Sequence, residues 1–185
     1  MSYRYLVIAA AALMGCGVAS VSPIVTDANA AYDPRLLGTW VDGDGKDSAV
    51  ITAGRANTYD IVFTEEDRKT GRFSGRLGRL GPYRVFDLQP DDPIPTASDT
   101  YKSLLLRAHG IVVVDSISDV VAFRLIGADS LRAYLKARPR SVAHNLVGDA
   151  VLLTPSSAEA RRFLMAFVGR RGVLGERNVF RRRVP

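Results

Sequence analysis

One cysteine, one tryptophan and two histidines in 185 residues leave few routes to chemistry. The lone thiol, Cys16, can make no internal disulfide. Neither His109 nor His144 has a cysteine or carboxylate at metal-ligand spacing, and H-x-x-H and H-E-x-x-H arrangements are absent, so no metal site is expected. Ser74, in Gly71-Arg72-Phe73-Ser74-Gly75, stands at the wrong offset for a nucleophile elbow and within a strand pattern. Gly75, Gly78 and Gly81 recur without the dinucleotide-binding spacing or a following helix. Asp42, Asp44 and Asp47 surround two glycines loosely as in a calcium loop, but the twelfth position counted from Asp42 is Ala53, where a glutamate is required. A non-catalytic protein without cofactor is the expectation. The residual catalytic alternative is a small hydrolase using His109 and a nearby carboxylate.

Lysine is also scarce, occurring only at Lys46, Lys69, Lys102 and Lys136 among 25 basic residues. Arginine therefore supplies most of the net charge of +6, a skew that reads as a GC-rich coding sequence before it reads as function. Arginines cluster at Arg161, Arg162, Arg170, Arg171, Arg177 and residues 181–183. Such a cluster is either a solvated face or a surface for anionic lipid. For an exported chain, nucleic acid is not an expected partner.

Long hydrophobic runs are missing as well. The longest, residues 6–14, is too short for the ~20 apolar residues of a membrane-spanning helix. Following Arg4 and preceding small residues, it has the form of a secretory signal peptide. Its end, Leu13-Met14-Gly15-Cys16, resembles the lipobox of bacterial lipoproteins, in which the signal is cut before a cysteine that then receives lipid. That resemblance implies a signal peptide over 1–15, an acyl (palmitate-type) anchor on Cys16 and attachment to the envelope through membrane lipid. The alternative exit is an A-x-A site at Ala28-Asn29-Ala30, giving a signal over 1–30 and a free periplasmic or secreted protein. Both routes place the mature chain outside the cytoplasm. Under the first, residues 16–32 are expected to be a flexible tether and residues 33–185 the folded domain.

Within that domain, short strands alternate with Gly, Asp and Asn. Strands are expected at 38–42, 49–53, 58–64, 71–80, 83–88, 104–115, 120–126, 150–153 and 179–183. In the third, Tyr59, Ile61 and Phe63 share one face, the period-two signature of a half-buried strand. The fourth alternates Phe73, Gly75 and Leu77 with Arg72, Ser74 and Arg76, and its glycines read as relief at a sharp barrel bend. Residues 89–100, rich in Pro and Asp, read as a long loop. Two helices interrupt the strands late in the chain. One starts near Asp129 and stops at Pro139, and the other opens on the capping box Ser156-Ser157-Ala158-Glu159. The expected fold is mainly β: a small antiparallel up-and-down barrel of eight or nine strands with two short C-terminal helices. Closure removes the exposed edges so many short strands would otherwise present.

Asp33-Pro34-Arg35-Leu36-Leu37-Gly38-Thr39-Trp40 resembles the start of a lipocalin: a short helical turn, then Gly-x-Trp entering the first strand. The chain as a whole is similar to small bacterial lipocalin-like (calycin-type) lipoproteins. The resemblance implies that Trp40 closes the base of the barrel and that Arg181 or Arg182 covers its ring. It also implies an interior able to hold a small apolar ligand. From the inward faces, the candidate lining is Tyr59, Ile61, Phe63, Phe73, Leu77, Phe86 and Leu88. The alternative is a barrel filled by its own side chains, acting as a structural or interaction module on an envelope protein partner through its outer surface or the 89–100 loop.

Overall fold

The computed structural model describes residues 17–91 and 106–183. The expected signal peptide, Cys16 and most of the 89–100 loop lie outside the described residues. The chain is mainly β, with a closed eight-stranded antiparallel barrel and two short helices.

The barrel is an almost unbroken meander. It comprises β3 (Gly38–Asp42), β4 (Ser48–Ala53), β5 (Tyr59–Thr64), β6 (Thr70–Leu80), β7 (Tyr83–Pro90), β8 (His109–Ile117) and β9 (Val120–Leu125), with β12 (Asn178–Arg182) returning between β9 and β3. Antiparallel pairing runs from β3 through β9, and β12 closes the ring on both sides. The register follows from alternation: Ile61 pairs with Phe73, and Leu77 with Phe86, keeping large apolar side chains on the inner face.

The segment 17–31, expected as a tether, is instead part of the fold. β1 (Val18–Ser20) lies between β8 and β11 (Ala150–Leu153), antiparallel to the first and parallel to the second. β10 (His144–Val147), which is not among the expected strands, forms the outer strand of this extension. β8 therefore serves two partners along one edge: β1 at His109 and Gly110, and β9 from Val112 onward. Beyond β1 the chain crosses the outer wall as a strap, with Ile24 and Val25 fully buried, and ends in β2 (Ala30–Ala31), which pairs with β6. The fold therefore takes in residues 17–31 as well as those from 33 onward.

The strap explains a glycine that was assigned to barrel curvature. A Cβ on Gly78 would lie 2.7 Å from a Val25 methyl and 2.8 Å from the Asn29 carbonyl, so a bare backbone there lets the strap lie flat. Gly75 does bear on the interior: a Cβ there would collide with the Phe86 ring.

Two apolar cores result, one on each side of the barrel wall. The inner one contains Leu36, Tyr59, Ile61, Leu77, Phe86, Val112 and Val114. The outer one joins Ile24 and Val25 of the strap, the outward face of β7, β8 and β11, and the helices α1 (Ala128–Ala137) and α2 (Ser157–Val168). The α2 stripe of Ala160, Leu164, Phe167 and Val168 thus covers the outer wall. Its capping box is formed: Ser156 Oγ accepts from Glu159 N, and Glu159 accepts from Ser156 N. Several clustered arginines serve this layer. Arg161 donates to the Ile24 and Arg79 carbonyls, and Arg170 lies 4.9 Å from the Tyr134 ring centre.

Candidate functional site: the barrel interior

The base of the barrel is built from the Gly-x-Trp turn. Asp33 caps a 3-10 turn over Pro34–Leu36, and Arg35 donates back to its carboxylate, holding that group below the usual carboxylate range. Trp40 is buried and donates its indole N–H to the Leu36 carbonyl at 2.8 Å. Arg182, opposite Trp40 in the β3–β12 register, places its guanidinium 4.3 Å from the ring centre and donates to the Leu37 and Arg35 carbonyls at 2.6 and 2.5 Å. One side chain therefore satisfies two turn carbonyls while stacking on the indole.

Arg181 pairs with Val41 and does not make this contact. Gly38 is required by the same arrangement. Its φ of +131° disfavours any side chain, and a Cβ would lie 2.5 Å from Arg182 Nη1. Tyr59 completes the floor: its hydroxyl accepts from Asp33 N at 2.7 Å, its ring stacks on Tyr32, and burial pushes its phenol pKa up.

Above this floor lies a cavity of about 660 Å³. Of the seven lining candidates, Ile61, Phe63, Phe73, Phe86 and Leu88 border it. Tyr59 and Leu77 belong to the packed layer beneath. The sequence reading missed the opposite wall, formed by Val112, Val114, Val121, Phe123 and Phe180, and the small residues Gly17, Ala19, Ala108 and Ala150 near the entrance. Among the described residues, the polar side chains of the lining are Glu65 and Lys69 of the β5–β6 turn and Thr70 at the start of β6. The arrangement can desolvate an apolar group and exclude water from it.

His109 has a carboxylate partner that sequence spacing did not locate. Its Nδ1 lies 2.7 Å from Asp87 Oδ1, while Asp87 Oδ2 accepts from the backbone N–H groups of Ile24 and Val25 at 2.6 and 2.9 Å. Asp87 is buried, and a charge in such a place demands this degree of hydrogen bonding. The pair borders a polar cleft of about 490 Å³ between strap and wall, with Thr58, Ser74, Arg76 and Gln89. Among the described residues, the Asp87 carboxylate bonds to the strap and to His109, which is the geometry of a fastening. His144 donates its Nδ1–H to the Val142 carbonyl, 2.9 Å away. Among the described residues no group of three or more His, Cys, Asp or Glu side chains could hold a metal ion, and no helix is long and apolar enough to cross a membrane.

The chain matches no protein family model, no curated protein and no solved structure. The class is defined by the fold and the interior: a closed eight-stranded barrel with a sealed base and an apolar cavity.

Proposed function

We propose that this chain is an exported, lipid-anchored barrel that holds a small apolar molecule in its interior, as its resemblance to lipocalin-like lipoproteins implies. The cavity carries this reading. Its volume of about 660 Å³ falls within the ~300–1,000 Å³ of small-molecule sites, and its walls are aliphatic and aromatic. An eight-stranded barrel can equally be filled by its own side chains, and the size of this interior argues against that structural alternative.

The strap supports processing before Cys16 over processing after Ala30. Cleavage at the latter site removes β1, which joins β11 to β8, and strips Ile24 and Val25 from the outer core. It also leaves the Asp87 carboxylate without the two N–H donors. A hydrolase built on His109 has less support, because the bonds of Asp87 hold the strap.

Native mass spectrometry of the protein purified from its own host's envelope tests both parts. The expected result is a chain starting at an acylated Cys16, with additional mass that dissociates on mild activation. A polypeptide starting at Ala31 would overturn the anchor, and preparations without any bound mass that also take up no hydrophobic probe would overturn the carrier.

A further inference from the structure

We infer that the cavity entrance lies against the membrane surface, so that the barrel exchanges its apolar ligand directly with the bilayer. This rests on the reading that Cys16 is acylated, and it adds an orientation and a source for the ligand.

The described chain begins at the entrance. Gly17, one residue after Cys16, borders the cavity, and its carbonyl accepts the Val151 N–H at 3.0 Å. From there the chain is locked at once: Val18 pairs with Val151, Ala19 with Gly110, and Ser20 is fully buried. Adjacent Cα atoms are ~3.8 Å apart, so an anchor on Cys16 holds the entrance within a few ångströms of the lipid attachment point. A free tether of the same fifteen or so residues would span roughly 20 Å and leave the barrel unoriented.

The rim has the surface such a position calls for. Val147, at the β10–β11 tip, is 60% exposed, and Leu146 beside it is also exposed. Val147 pairs with Ala150, itself part of the cavity lining, and Arg132 donates to the Gly148 carbonyl and steadies the tip. Leu106, 63% exposed, stands two residues before Ala108, another lining residue. Exposed aliphatic side chains next to lining residues at two places are suited to the boundary between headgroups and acyl chains. The occupant of this surface is therefore a phospholipid bilayer, and the cavity opens toward its acyl chains.

The test uses the full chain matured in its host. Because Cys16 is the sole cysteine, acylation leaves an introduced cysteine as the only free thiol. V147C at the rim and A56C in the exposed β4–β5 loop at the base are each labelled with a polarity-sensitive fluorophore. The proteins are then reconstituted in vesicles of phosphatidylcholine and phosphatidylglycerol.

The inference expects the V147C label to shift to the blue and to be quenched by chain-brominated phospholipid, while the A56C label stays water-like. Trp40, the only tryptophan, borders the cavity and reports loading: brominated fatty acid in the vesicles should quench it, several-fold more slowly in a V147D and L146D double variant that remains anchored. An acylated protein whose V147C label is as wet as the A56C label overturns the orientation alone. An unmodified Cys16, seen as a second labelled thiol by mass, overturns the anchor and this inference with it.

Discussion

Asp87→Ala should cost more stability than any other single polar substitution in this domain. The carboxylate is 4% exposed and receives three hydrogen bonds, from Ile24 N, Val25 N and His109 Nδ1, at 2.6, 2.9 and 2.7 Å. Bonds to a charged group contribute ~1.5–3 kcal/mol each, and they are not additive when they share one acceptor. Removing one member of a buried charged cluster typically costs ~3–5 kcal/mol, because its partners are left desolvated and unpaired.

We expect a loss in that range, equivalent to a fall of roughly 10 °C in midpoint for a domain of this size. Urea and thermal unfolding followed by Trp40 emission measure it. His109→Ala removes one of the three bonds and should cost about 1–2 kcal/mol, a marked fraction of the larger effect. Limited proteolysis should show new cuts within residues 17–31 in the Asp87 variant, since the strap loses its fastening. Two results would refute the reasoning: an Asp87→Ala protein within about 1 kcal/mol of the parent, or one destabilised with the strap still fully protected.

Three further outcomes follow from the same geometry. Arg182→Ala should cost about 2 kcal/mol through the loss of the indole contact and two carbonyl bonds, and should alter Trp40 emission, whereas Arg181→Ala should stay within ~0.5 kcal/mol; chemical denaturation of the pair checks this. Gly78→Val should destabilise by about 1–3 kcal/mol and free the strap to protease, because its side chain meets Val25 and the Asn29 carbonyl. Asp47, buried at the β3–β4 turn, has its carboxyl pKa pushed up chiefly by burial, so the folded state binds its proton more readily than the unfolded chain. Its contribution is therefore lost as pH rises from the usual aspartate value through the raised one, and Asp47→Asn should match or exceed the parent's urea midpoint at pH 7 and converge with it near ~pH 3.

What was legible in the sequence was whatever a strand or helix records locally. Tyr59, Ile61 and Phe63 alternate because one face of β5 meets the interior, and the α2 start was readable because a capping box is complete within four residues. What failed depends on distant partners. Nothing in Val18-Ala19-Ser20 marks a strand, since its small side chains suit a signal-peptide tail equally well and its partners lie around positions 110 and 151.

The choice between Arg181 and Arg182 was open to reasoning. Phe180 borders the interior and period two puts Arg182 on the same face, so parity alone selects it. Asp87 also left a trace, as a carboxylate between Phe86 and Leu88. Its partners, two backbone amides of the strap, have no side-chain signature at all.

The position of β1 has a consequence for the order in which this molecule is completed. Ser22 Oγ donates to the Pro155 carbonyl, 133 residues away, and β1 can pair with β11 only once residues 150–153 exist. The first segment of the domain to be synthesised is thus among the last to find its place. Contacts of such sequence separation are slow to form. A chain made from its N-terminus carries β1 without its β11 partner until most of the domain exists, so this part of the sheet is joined at the end.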